Sequence, residues 1–313
     1  MKKILFTTIV ILSFLTQSNL CAQTKKYTQI GEYCEELARV SLNSKWGFID
    51  KNKREVIPLK YDYAGNFSDG LALVTIGGKT GFIDKKGNVK IPIKYDGGKT
   101  FSEGLAFVGI NGKIGFVDTS GVEVIPLQYE QANSFSNGYA SVKLNGKRGF
   151  IDKKGNVVVP LLYDAVGYFS EGLAVVCQNN QCGYADTSGN IIIPLQYEMA
   201  LGFHEGLAGI KVNDYMGYID KTGKMIIRPQ FKDGSSFSEG LASVTHYQKY
   251  GFIDKTGKVI IEEKYNEVTN FVNGIAEATI IDSWDFKITK LYIDKQGKEY
   301  KTKEEAQSAV NEN

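Results

Sequence analysis

The sequence predicts an all-β chain of eight tandem 34-residue β-meander repeats, and three observations carry that prediction. A tetrad of Gly, aromatic, aliphatic and Asp begins at Gly47, Gly81, Gly115, Gly149, Gly183, Gly217 and Gly251, always 34 residues apart. A Gly-(Leu/Tyr/Ile)-Ala element keeps the same step from Gly70 to Gly274. So do two aromatic ladders, Phe67 to Phe271 and Tyr61 to Tyr265, the second with Phe231 as its one non-tyrosine. A fixed period of this length is the signature of a repeat architecture. Counting back places Tyr27 and Tyr33 in a first unit. An eighth tetrad, Leu291-Tyr292-Ile293-Asp294, comes 40 residues after Gly251, which implies a six-residue insertion near Trp284.

Within a unit the elements follow from local chemistry. Leu105 to Ile110 is a β-prone run. Asn111-Gly112 between apolar runs signals a tight hairpin, because both residues tolerate positive φ. Gly115 to Asp118 is the next strand. Asp118-Thr119-Ser120-Gly121 is a second turn, with the Asp side chain bonding its own downstream backbone. Val122 to Ile125 is a third strand, expected to stop at Pro126, which cannot donate to a ladder. Tyr129 to Phe135 reads as a fourth short strand or a loop. Helical patterning is absent until Lys303 to Val310, so residues 303–313 form a polar tail or a short capping helix.

Residues 1–22 read as a secretory signal peptide: Lys2 and Lys3, an apolar stretch from Ile4 to Leu15, then a polar end with cleavage after Ala22. The alternative is lipid anchoring at Cys21, against which bulky Leu20 argues. No later run reaches the ~20 apolar residues of a membrane-spanning helix. Residues 23–302 then form a single repeat domain. The chain has 37 basic and 35 acidic side chains, and loss of Lys2 and Lys3 leaves it neutral. That balance argues against a nucleic-acid partner.

The unit Trp46-Gly47-Phe48-Ile49-Asp50, Val56-Ile57-Pro58-Leu59-Lys60-Tyr61-Asp62 and Phe67-Ser68-Asp69-Gly70-Leu71-Ala72 resembles the bacterial WG-repeat, or KWG-repeat, family. The family Trp survives only at Trp46; Thr80, Ile114 and Arg148 stand at its place in the next units. The resemblance implies an often exported bacterial β protein with an interaction or structural role and no general enzymatic activity. Two architectures fit: an open, solenoid-like array in which each unit stacks on its neighbours, or a closed eight-bladed propeller. Thirty-four residues are tight for four strands, and the first unit is already complete from Tyr27 with no strand exchanged between the ends, so the open array is expected.

The chemistry of the repeat is bland. The tetrad aspartates (Asp50, Asp84, Asp118, Asp152, Asp186, Asp220, Asp254 and Asp294) read as turn residues, since a catalytic pair needs two unlike environments and a calcium loop needs alternating oxygen ligands. His204 and His246 have no ligand-spaced partners for zinc. No catalytic residue, metal or cofactor is expected. Cys177 and Cys182 face each other across a hairpin at positions held by Lys143 and Arg148 in the unit before, and a disulfide is expected there. Cys34 reads as a small buried residue.

Departures from the repeat carry more information. Later hairpin tips bear Tyr215, then His246, Tyr247 and Tyr250, then Trp284 and Asp285 in the insertion. If units stack in register these would line one edge, as aromatics with polar company do at glycan and protein contacts. Asp214 and Asp285 are the only acids near these tips that could serve an enzyme. The sequence-based expectation is therefore an exported, non-enzymatic protein that binds a protein or glycan at the cell envelope. The alternatives are a purely structural or adhesive protein and, more distantly, a glycoside-processing enzyme.

Overall fold

A computed structural model describes residues 27–282 and 287–312; the leader, Trp284 and Asp285 lie outside the described residues. The chain forms eight four-stranded antiparallel sheets, each a simple meander in sequence order. The third sheet is representative, with strands Gly97–Gly98, Leu105–Ile110, Lys113–Asp118 and Glu123–Tyr129. Thirty-four residues do hold four strands, because the first strand shortens to two residues in most sheets. Longer versions occur at Gln29–Cys34, Tyr63–Ser68 and Ala165–Ser170. The fourth strand of one sheet leads into the first of the next through a single residue, as Tyr129 leads through Glu130 to Gln131.

Proline does not stop the fourth strand. Glu123–Tyr129 runs straight through Pro126. It is an edge strand, and its register slips around the proline, from Phe116 opposite Ile125 to Ile114 opposite Tyr129. An edge position and a bulge are where a residue without an N–H is tolerated.

The same crossing explains the tetrad glycine, which is not a turn residue. Each lies mid-strand, under the bulged fourth strand. A Cβ on Gly115 would sit 2.4 Å from the Ile125 carbonyl oxygen, and on Gly47, Gly81, Gly149, Gly183, Gly217 and Gly251 it would meet the equivalent oxygen at 2.3–2.6 Å. The tetrad Asp that follows closes the next turn. Asp118 Oδ1 accepts from the Ser120 and Val122 amides, both at 2.9 Å.

Sheets stack through an aromatic pair repeated seven times. The tetrad ring of one sheet meets the Phe of the next: Phe48–Phe67, Phe82–Phe101, Phe116–Phe135, Phe150–Phe169, Tyr184–Phe203, Tyr218–Phe237 and Phe252–Phe271, with centroids 4.7–5.0 Å apart. Such pairs add about 0.5–1.5 kcal/mol each beyond the area they bury. The core is accordingly a series of clusters between consecutive sheets, for example Leu105, Phe116, Ile125, Tyr129, Phe135, Ala140, Val142 and Ile151. The Tyr61-to-Tyr265 ladder is buried within these clusters rather than forming an exposed stacking face.

A polar ladder runs alongside. Glu103 accepts from the Gly138 amide of the next unit and pairs with Lys153 at 3.1 Å. Glu35, Glu171, Glu205 and Glu239 repeat that arrangement with Lys85, Lys221, Lys255 and Lys295. Partial desolvation pushes the Glu103, Glu205 and Glu239 carboxyls up, but lysine and amide hydrogen bonds outweigh it and hold them below the usual range. At Glu171 the Lys221 hydrogen bond is the leading cause of the same depression.

The array is open. All of these links join neighbouring sheets, the first sheet is complete within Gln29–Tyr61, and among the described residues no strand of the last sheet packs substantially on the first. On the outer face of sheet one, Ala38, Val40 and Ile49 are covered by Tyr27 and Leu59. At the other end Leu291 replaces the tetrad glycine, the fourth strand shrinks to Glu299–Tyr300, and helix α1 (Lys303–Asn311) closes the sheet. Thr302 caps the helix by accepting from the Glu305 amide.

Cys177 and Cys182 are opposite each other in register, with Cα atoms 4.0 Å apart and a formed disulfide. Cys34 is free and half-buried.

Three stability tests follow from this architecture. Gly115→Ala forces the crossing backbone to move and should cost about 1–3 kcal/mol. Gly109→Ala, whose nearest new neighbour is 3.5 Å away, should be neutral or stabilising by less than about 1 kcal/mol; urea melts of both check this. Because the ladder glutamates are depressed in the folded state, their stabilisation is complete above the unfolded-state value and is lost as pH falls through the folded one. Urea midpoints should therefore drop below about pH 4.5, and the combined E103Q/E171Q/E205Q/E239Q variant should flatten that drop. Cys177→Ser with Cys182→Ser should cost about 2 kcal/mol, the denatured-state entropy of so short a loop, and a reductant titration of the wild type should match it.

Candidate functional site

The single residue that joins one sheet to the next is also an electrostatic staple. Asp96 accepts the Lys79 ammonium of the preceding hairpin tip at 2.5 Å and the Asn111 amide of the following tip at 2.7 Å. Asp62 does the same with Lys45 and Gly77, and Asp164 with Lys147 and Asn179. Glu198 bonds the Asn213 and Asp214 amides. Each tip is thus a tight two-residue turn pinned by a carboxylate.

At one junction this chemistry is inverted. The linker is Lys232, where acids stand at 62, 96, 130, 164 and 198, and the tip lysine of the preceding hairpin is replaced by Tyr215. The Lys–Asp ion pair becomes a cation–aromatic contact at the same place, with Lys232 Nζ 4.1 Å from the Tyr215 ring centre. The following tip loses its carboxylate staple. It also has Tyr247-Gln248 where Asn111-Gly112 stands in sheet three, and these side chains do not suit the left-handed backbone of a tight turn. The ladder accordingly stops at Thr245 and resumes at Tyr250, leaving His246 to Lys249 as an open bend.

Glu263 takes over the pinning. It stands where the first five fourth strands carry Leu59, Ile93, Leu127, Leu161 and Leu195 and the sixth carries Pro229. Its carboxylate accepts from the His246 amide at 3.1 Å and lies 2.5 Å from His246 Nδ1. The imidazole also packs on Phe231, with ring centres 4.9 Å apart. Lys249 reaches the neutral Asn266 carbonyl at 2.6 Å rather than an acid.

The result is a groove of about 680 Å³ lined by Lys232, His246, Tyr247, Gln248, Lys249 and Glu263. Tyr247 stands 89% exposed at its rim, and Tyr215 is 41% exposed beside Lys232. Among the described residues, neither Lys232 nor Lys249 has a carboxylate partner, whereas the tip lysines 45, 79 and 147 all do.

Of the residues singled out from sequence, Tyr215, His246 and Tyr247 come together here. Tyr250 does not: it lies inside a strand opposite Tyr265. Burial, with the nearby Asp233 carboxylate that its hydroxyl bonds, pushes its phenol up. Trp284 and Asp285 fall outside the described residues. Lys232, Gln248, Lys249 and Glu263 were not singled out, although the acid-to-Lys and Leu-to-Glu changes are readable once the units are aligned. A second depression, on the outward face of the last sheet, is lined by Glu267, Thr269, Glu277, Thr279, Lys290 and Tyr292 among others; it is the polar end face that no ninth sheet covers.

No helix among the described residues is long and apolar enough to cross a membrane. No curated protein matches the chain. Among solved structures it is similar to one described as a eukaryotic initiation factor, at 10% identity and a TM-score of 0.52, over 87% of each chain. It is also similar to a quinoprotein alcohol dehydrogenase-like protein from Bacteroides thetaiotaomicron, at 12% identity and a TM-score of 0.35, over 84% of this chain and 81% of that one. The first likeness concerns fold alone. The family model described as "WG containing repeat" matches seven times in tandem, over 46–79, 81–113, 114–147, 149–182, 183–215, 216–250 and 250–280. The glycine under the crossing strand and the inter-sheet aromatic pair thus have their counterpart in sequence, and the chain belongs to the WG-repeat family.

Proposed function

We propose that this is an exported, non-enzymatic binding module that holds a protein or glycan partner at the cell envelope through the groove at Lys232, His246–Lys249 and Glu263. One observation carries the reading. Three departures from the repeat (Lys232, Tyr247-Gln248 and Glu263) line one open groove with an exposed tyrosine at its rim, and a fourth, Tyr215, packs against Lys232 beside it. Scattered drift has no reason to converge. The tetrad aspartates support a non-catalytic role, since each is committed to closing its own turn in the same surroundings. The Cys177–Cys182 disulfide supports an oxidising compartment, in keeping with the leader read from the sequence.

A structural or adhesive reading has one observation in its favour. Val157, Ile191, Ile192, Met225, Ile226, Val259 and Ile260 form an exposed apolar stripe along four successive edge strands, where each of the first three units sets one charged residue beside an exposed valine: Glu55 by Val56, Lys90 by Val89 and Glu123 by Val124. Exposed apolar stripes of this extent mark contact surfaces.

The deciding experiment compares the mature wild type with a Tyr247→Ala/Lys232→Asp variant on a glycan array and in envelope pull-downs. Lys113→Ala, at an ordinary tip, serves as control, and circular dichroism confirms folding of each. Binding by wild type and control that falls at least tenfold in the double variant supports the groove. Equal binding by all three moves the site elsewhere, and absence of binding by any favours the structural reading.

A further inference from the structure

We infer that the ligand of this groove is an acidic glycan, a chain of sugars bearing carboxylates. The inference rests on the reading of the groove as the binding site and adds the chemistry of what it takes.

The first argument is charge. At three other tips on this edge the lysine (Lys45, Lys79 and Lys147) is neutralised by the linker acid at 2.5 Å. Here the linker itself is a lysine, the preceding tip is a tyrosine, and Lys249 meets a neutral amide. Two ammonium groups therefore line one groove with no carboxylate on either among the described residues. Among the described residues the one acid lining the groove, Glu263, is occupied by the backbone and ring nitrogens of His246. An anion entering the groove would meet two cations whose attraction is not already spent.

The second argument is shape. The groove is open and about 680 Å³, large enough for a ligand of several rings. Tyr247 presents a ring that is 89% exposed, and an aromatic face with a polar rim suits the apolar face of a pyranose. Groups suited to hydroxyls stand beside it: the Gln248 amide, and the His246 Nε2 edge, which accepts while Nδ1–H is given to Glu263.

An acidic peptide would answer the charge but not the shape. Peptide recognition uses a deep pocket for an anchoring side chain or an unpaired strand to extend. This groove is walled by a bend and by four polar or charged side chains besides His246 and Tyr247, and offers neither.

The test titrates the mature protein calorimetrically with trigalacturonate, with the neutral trisaccharide maltotriose, and with a short polyglutamate peptide. The variants are Lys232→Glu, Lys249→Glu and Tyr247→Ala, each checked for folding by circular dichroism. The proposal expects trigalacturonate to bind at least tenfold more tightly than maltotriose, each variant to lose at least tenfold, and affinity to fall as salt rises. Equal affinity for both sugars, lost only in Tyr247→Ala, overturns the acidic class while leaving the groove as the binding site. Binding of polyglutamate but not trigalacturonate replaces the glycan with an acidic protein segment. Trigalacturonate affinity unchanged in all three variants, or no heat with any probe, overturns the proposal. The array and pull-down comparison then judges the groove independently.

Discussion

Everything in this chain depends on one close approach: the fourth strand of each sheet crosses the third at a position where no Cβ fits. The crossing carries the chain back over the sheet face, so that a single residue suffices to begin the next sheet. It also places Ile57 and its counterparts over the tetrad ring, which then meets the phenylalanine nineteen residues on. Glycine supplies the approach, proline fits the bulge, and the aromatic pair secures the stack. Where glycine gives way to Leu291 the crossing strand is lost, and with it the start of another unit. A short helix and a polar sheet face finish the array instead of an open template for aggregation.

A repeat built this way has interactions between neighbours only. Each sheet contributes one aromatic pair, one core cluster and, in most units, one Glu–Gly–Lys link to the next. Stability then approximates a sum of unit and interface terms. That economy has a consequence for function. A residue that serves the stack has an equivalent in every unit, so a residue without one is free to do something else.

The fold was legible because its determinants are periodic. The tetrads, the Asn-Gly tips and the Asp turns each announce a backbone geometry that few other residues permit. One reading failed for a physical reason. Pro126 looks like a terminator, yet an edge strand with a bulge there needs no N–H from it. The tetrad glycine lies in a strand as expected, but its role there, to lack a side chain under a crossing backbone, is a long-range demand that no local pattern displays. The site was half legible. Aromatic tips draw the eye, so Tyr215 and Tyr247 stood out and Tyr250 was swept in with them, though it sits one residue inside its strand and turns toward Asp233. Lys232 and Glu263 were passed over because a lysine or glutamate on a surface strand is unremarked in isolation. Their meaning lies in what they replace.

The inversion at Lys232 shows how a structural device becomes available for binding. In five junctions the linker residue is an acid that neutralises a lysine, pins a turn, or does both. Replacing that acid with lysine removes the pin, and replacing the tip lysine with tyrosine avoids setting two ammonium groups against each other. The cation instead lies over the Tyr215 ring. The unpinned hairpin then has no reason to keep a tight turn, and Tyr247-Gln248 cannot hold one. Glu263 restores a single anchor from the other side, at a position where the first five units carry a half-buried leucine or isoleucine. Each substitution is unfavourable or neutral for the stack taken alone, and together they are mutually consistent, which is the pattern expected where local departures from a folding rule serve a site. The same logic sets the site's sign: the linker acid of the five earlier junctions is a lysine here, so the charge left without a carboxylate partner among the described residues is positive.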